Sequence, residues 1–521
     1  DFTEKLVNFG YTIVIIDQTT EPPNPKREVT GIYSPTTFLQ KNTNYSTTKS
    51  TNLICIIIDA LKTKSIKQNQ IPILCIGISA YDLTTGNGSV YETVSTAHDP
   101  MYALDDAIRF LENYPPCEVI FDCTKNLTEY LEQKKNINNM TLNDIISYLG
   151  LSQDEHQLYK IQNITTLSNI KYQTNLLESI YNHHSNLSCI EDLNLNFYNL
   201  ARLSLVALLE YTKNHQQMLL QRLKKPLYFS SKTKLFLGNK ALDQLDVIPH
   251  PTKPKTLFNI INFTRTVLGK RFLKNSISNP LIDMDAINYR YNIISQILEN
   301  NLHKEISDNL IDIADLQKLN RRMELGNIHP MELFNVYMSI DQIIKTINSI
   351  KKYKKLYQDL DYKKEYIDKI NGFTQYIDNT FNVDYIMELN FLNYKEESFN
   401  FIKSDKYPRL IELEENIKLG ENFMDYLIKE LEKVIMSNAE KRFMKKDNKL
   451  ITLKYNDRDG HYLMVTQKRC KVLIDSLKKQ KIIKIGKTEI KFDDLEFIDM
   501  PRSTYTKIYC KEMKTISTNV V

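Results

Sequence analysis

Between Lys441 and Lys491 the chain carries 16 Lys/Arg against 5 Asp/Glu, so one segment holds more than the whole formal excess of +5 spread over 521 residues. Cations at this density suit one chemistry above others, the neutralisation of phosphates with release of their counterions. Lys454, Arg458, Lys468, Arg469 and Lys471 flank runs of strand character and are the leading candidates for phosphate contact, with Lys445 and Lys446 nearer the edge of the segment. Such contacts fix position and add affinity without reading bases. The alternative for each is a solvated surface charge.

Other reactive residue types do not assemble into sites. His183-His184 has no Cys or His at ligand spacing. Asp105-Asp106 and Asp493-Asp494 are carboxylate pairs without an accompanying base or metal-binding set, which helix capping and solvation explain. Asp82 alone cannot make a two-metal site. Cys55, Cys75, Cys117, Cys123, Cys189, Cys470 and Cys510 form no C-x-x-C pair and read as reduced thiols of an intracellular protein. There is no G-x-x-x-x-G-K-[ST] cradle, since Gly238 and Gly269 stand in no such context. The residues therefore predict no catalytic site, metal or cofactor in this chain. No apolar run approaches the roughly 18 residues of a membrane span, and no signal peptide is seen.

The elements that must position the basic segment follow from periodicity. Only 13 Gly and 16 Pro favour long helices, and the length predicts three or more domains. Tyr11–Asp17 reads as a strand, and Gln40–Ser50 is polar enough for a linker. Leu53–Ile58, Leu74–Ala80, Ser89–Thr93 and Glu118–Phe121 have strand character, with a turn at Thr84–Gly88 and a helix over Met101–Glu112, which together predict a small α/β domain. Beyond Asn163 the pattern is overwhelmingly helical. Leu410, Leu413, Ile417, Gly420, Met424, Leu427, Leu431 and Val434 alternate at three and four, a heptad seam that predicts a long helix over Arg409–Arg442 with one partner helix returning later. Leu450–Leu453, His461–Thr466 and Ile482–Ile485 then predict a basic, β-rich tip on that lever.

Several segments resemble the MutS family of DNA mismatch-recognition proteins, in that family's order. Tyr11–Thr36 (YTIVIIDQTTEPPNPKREVTGIYSPT) is similar to the end of its mismatch-binding domain, and Gly77–Thr93 to its connector hairpin. Leu203–Lys213 is similar to the helix that opens the core. Leu237–Val247 and Leu257–Leu281, with Arg265-Thr266, Gly269, Arg271 and Pro280-Leu281 in place, resemble the core itself. Asp315–Gly326 matches the next core helix, although Lys318 stands where Arg is usual. Asn456–Thr466 resembles the clamp strand, keeping Gly460, Tyr462, Val465 and Thr466. Ser503–Lys507 departs from the family's Gln-Thr-Leu-Lys-Asn, with Thr506 in place of the lysine.

The resemblance implies a multidomain, mainly α protein: MutS-like helical core, long lever helices, a small α/β connector domain and a basic β-rich clamp. The expected divisions are 1–36 end of the mismatch-binding domain, 37–50 linker, 51–160 connector, 161–408 core, 409–441 lever helix, 442–504 clamp and 505–521 start of the return lever. Because the chain begins at Asp1 in mid-pattern, it is expected to be a fragment. The family's mismatch wedge and its ATPase domain, with ATP and Mg, would then lie outside it. The implied function is that of a DNA-binding scaffold clamping duplex DNA, mismatched or branched, in a homodimeric parent protein within a DNA-containing compartment and without a membrane. The alternatives are a junction binder, an interaction platform that has lost DNA binding, and a parent carrying a nuclease domain, as in some giant-virus and octocoral-mitochondrial relatives.

Overall fold

The computed structural model describes residues 2–20, 25–39, 51–61, 73–132, 141–151, 157–161, 163–181, 187–230, 234–235, 241–249, 255–388, 402–435, 450–456, 460–480, 482–485, 488–500, 503–513 and 515. They form two compact units, one of Asp1–Asp378 with Val383–Glu397 and one of Asn379–Asn382 with Ser398–Val521.

The first unit begins with an antiparallel hairpin, β1 (Ile13–Gln18) and β2 (Arg27–Tyr33). Its centre is a six-stranded mixed sheet of β3 (Asn52–Leu61), β4 (Ile73–Asp82), β5 (Asn87–Val94), β6 (Pro116–Cys123), β7 (Gln157–Tyr159) and β8 (Leu227–Tyr228), in the order β7-β6-β3-β4-β5-β8. β3 is apolar at nearly every position because both its faces are covered, which is why it reads as a run and not as an alternation. Leu53, Cys55 and Ile57 join the core under the helix Asn199–Gln216. Ile54, Ile56, Ile58 and Ala60 join the opposite core with Ala103, Leu104, Ala107 and Phe110 of the helix Tyr102–Asn113. Gly77 in β4 is required: a Cβ there would lie 2.1 Å from the carbonyl carbon of Leu200, so the helix seats directly on the strand backbone. The Asp82 carboxylate accepts from the Thr84 and Thr85 hydroxyls and ties the β4–β5 turn, in which Gly86 has φ +71.

Two features place the sheet's limits beyond residue 160. The last strand, β8, comes from residues 227–228 and pairs in parallel with Ser89 and Val90 of β5. Glu92 of β5 accepts from the backbone N–H groups of Leu200 and Ala201, capping the covering helix. Beyond this the first unit is helical. Arg271 grips Asp315 through two hydrogen bonds of 2.6 and 2.7 Å, and Arg322 pairs with the buried Glu332. Arg265 instead donates to the Ser307 hydroxyl at 3.0 Å. Arg321, buried at 1% exposure, donates to the carbonyls of Leu219, Gln221 and Arg222.

The second unit opens with the helix Pro408–Ile435. An antiparallel sheet of β9 (Thr452–Asn456), β10 (Gly460–Thr466), β13 (Leu495–Asp499) and β14 (Tyr505–Cys510) follows in the order β13-β14-β10-β9, with a separate ribbon of β11 (Ile482–Ile485) and β12 (Thr488–Lys491). The heptad seam is used in halves. Gly420, Met424, Leu427 and Leu431 are buried in the unit's core, whereas Leu413 is 44% exposed.

Two expectations are corrected. Gln467–Gln480 is a helix inside the expected β-rich tip, its Cys470, Leu473 and Leu477 filling the same core. Tyr505–Cys510, expected to start the return lever, is a strand between β10 and β13, because Thr506, Ile508 and Cys510 alternate inward at period two.

Candidate nucleic-acid interface

Of the basic residues singled out from sequence, Lys454, Lys468, Arg469 and Lys471 are described, and they lie on two elements of the second unit. β9 and β10 pair with Lys454 opposite Tyr462, on the sheet face turned away from the core residues Leu463, Val465 and Ile508. Lys507 of β14 reaches the same face and stands 4.4 Å from the Tyr462 ring centroid, a cation held over an aromatic face. Lys454 is exposed, and Tyr462 and Lys507 are half-buried. Lys507 was not singled out from sequence. Its signal is the alternation of Tyr505 and Lys507 with Thr506 and Ile508 once that segment is read as a strand.

Lys468, Arg469 and Lys471 lie in the first turns of the helix Gln467–Gln480. Cys470, Leu473 and Leu477 turn inward at helical spacing, leaving Lys468, Lys471 and Lys478 exposed on the other side beside Asp475. The helix shares its core with the inner face of the sheet. Lys454 and Lys507 on one hand, and Lys468 and Lys471 on the other, therefore look outward from opposite sides of a sheet-and-helix layer. Arg458, Lys445 and Lys446 lie outside the described residues.

The electrostatics of the helix end are distinctive. Its macrodipole puts positive charge at the N-terminus, where acidic residues are favoured. Here the first turn has no acidic residue and carries three cations within five positions. An anion at this end would meet both the side chains and the dipole.

The Thr506 substitution has a local explanation. Its hydroxyl donates to Asp499 at 2.6 Å and its side chain is 2% exposed, so the position where the family has lysine points into the core in this chain.

The other candidates have structural partners. Asp105 accepts from the Tyr148 hydroxyl, Asp106 from Tyr91 and Arg109, and Asp494 from the backbone of Lys491. None of the seven cysteines is in a disulfide. No group of three or more His, Cys, Asp or Glu able to hold a metal occurs among the described residues. His183-His184 lies outside them. No helix among them is long and apolar enough to cross a membrane.

Glu118, missed from sequence, is fully buried on β6 and accepts from the Thr36 hydroxyl and, at 2.9 Å, from Ser34. Burial pushes its carboxyl above the ordinary range, partly offset by these hydroxyls. It ties the exit of the β1–β2 hairpin to the central sheet.

Comparison with known proteins finds likeness to one family. A family model described as MutS domain III matches residues 240–480. A DNA mismatch repair MutS homolog of Acanthamoeba polyphaga mimivirus is 29% identical over 98% of this chain and 46% of its own length. The DNA mismatch repair protein MutS of Thermotoga neapolitana is 26% identical over 64% of this chain and 35% of its own length. That of Caldanaerobacter subterraneus is 25% identical over 69% and 38%. The chain thus spans less than half the length of these relatives.

Proposed function

We propose that this chain, a divergent relative of the MutS family, holds double-stranded DNA through its second unit by contacts to phosphates. Lys468, Arg469 and Lys471 are the principal contacts, and Lys454 with Lys507 forms a second group. The observation that carries the reading is the cationic first turn of Gln467–Gln480, where side chains and helix dipole present the same sign of charge. Phosphate binding accounts for that arrangement more economically than solvation does, since water does not reward adjacent cations at a positive helix end.

In this reading Pro408–Ile435, about 42 Å long at the helical rise, is the lever, and the sheet with its helix is the clamp. The relatives are named for mismatch repair. Mismatched duplex is accordingly the DNA we assign, with a branched junction as the alternative. ATP hydrolysis with Mg, and homodimerisation, are assigned to the whole protein and not to these residues.

The test is duplex binding across a salt series, with the chain compared with a Lys468→Glu/Arg469→Glu/Lys471→Glu variant. The log–log slope should be shallower in the variant by roughly 0.9 for each phosphate no longer neutralised. Equal slopes in two well-folded proteins would remove the helix from the interface. Binding of a four-way junction more tightly than mismatched duplex by the whole protein would change the assigned DNA.

A further inference from the structure

Six lysines and two aspartates occupy Lys351–Lys364, far from the basic segment in sequence and in the other unit. The chain there leaves the helix Pro330–Lys351, makes the short helix Lys354–Asp359, and turns into the helix Lys364–Thr380. Leu302, Ile350 and Leu356 form a small buried core at this corner, with Tyr353, Tyr357, Leu360 and Tyr362 packed against it. The apolar residues face that core, and Lys351, Lys352, Lys354, Lys355, Lys363 and Lys364 are all exposed on its rim.

The usual structural uses of lysine account for only two of the six. Lys351 and Lys352 end a helix, where a cation opposes the negative end of the macrodipole. Lys354 and Lys355 begin one helix, and Lys363 and Lys364 begin another, so four cations stand at positive ends. None of the six is in an ion pair among the described residues, whereas neighbouring Lys345 and Lys369 pair with Asp341 and Glu365. Asp359 is turned away from the lysines: its carboxylate accepts from Gln296 at 2.6 Å and from Asn292 at 3.3 Å. Asp361 remains the exposed acid within the run. Lys363 lies 5.9 Å from the ring of Tyr366, which is 56% exposed and presents an aromatic surface beside the charges. The helix that begins with Lys354 and Lys355 is six residues, about 9 Å, long, and all six lysines fall within fourteen residues around the one small core.

We infer that this corner is a second phosphate-binding surface, which contacts the backbone of duplex DNA. The inference rests on the proposed function for the identity of the polyanion. Clustered lysines beside an exposed tyrosine suit a nucleic-acid backbone, which offers a line of charges to be met at several points.

The experiment is lysine acylation footprinting of the full chain, free and with duplex DNA at low salt, read residue by residue. It is paired with a salt series on a Lys354→Glu/Lys355→Glu/Lys363→Glu/Lys364→Glu variant. Expected are protection of Lys354, Lys355, Lys363 and Lys364, and a log–log slope shallower by roughly 2 to 3.5. The footprint uses the unaltered chain, so it decides the matter even if the variant misfolds. Protection of Lys468 and Lys471 without protection of the corner overturns this inference and leaves the proposed function standing. No binding, and no protection anywhere, overturns both. Protection of the corner by poly-glutamate but not by DNA overturns it in favour of an acidic protein partner.

Discussion

Glu118 shows how a single buried group links segments distant in sequence. The Ser34 and Thr36 hydroxyls reach it across more than eighty residues, and all three side chains are fully buried. Because burial raises its carboxyl above the ordinary range, the folded state holds a proton that the unfolded chain gives up at lower pH. The linked stability is therefore fully present below the ordinary carboxylate range and is lost as pH rises through the raised value. Replacing Glu118 by Gln should remove this slope, giving a melting temperature less dependent on pH above the ordinary carboxylate range. A slope unchanged in the variant would show that the group titrates normally. Glu118 carries no signal in the sequence, since a lone acid in an apolar strand acquires its meaning only from what folds over it. Arg271 and Arg322 pair with acids brought close by the helical packing of the first unit.

Among the elements, β3, β4, β5 and β6 of the central sheet are legible as apolar runs or alternations, whereas β7 and β8, of three and two residues, are too short to show either. The helix Gln467–Gln480 is hidden because, among its residues of described burial, Cys470, Leu473 and Leu477 alone are buried, and Lys468, Arg469, Lys471 and Lys478 surround them in sequence. That triad still fixes the element. Leu473→Ala removes a side chain of 0% exposure and should cost about 2–5 kcal/mol. Hydrogen exchange should then accelerate in Gln467–Gln480 and β10 while the six-stranded sheet keeps its protection. Equal acceleration in both units would mean that they unfold as one.

Across the whole molecule, domain limits are harder to read than element types. The α/β domain is expected from sequence to end at residue 160, yet the sheet takes β8 from residues 227–228, and one of its faces is covered by Asn199–Gln216. A chain stopped at residue 160 should therefore be poorly soluble, with β5 an open edge and Leu53, Cys55 and Ile57 uncovered, whereas one continued to residue 230 should stay in solution. Comparable soluble yields would show that the sheet stands without those later residues. The same feature bears on how the protein is born. At the usual pace of translation, about 5–20 residues per second, the covering helix Asn199–Gln216 is completed roughly 8–30 s after β3. During that interval the ribosome carries a nascent sheet with one greasy side bare, so this stretch of the polypeptide is where a chaperone would be needed first.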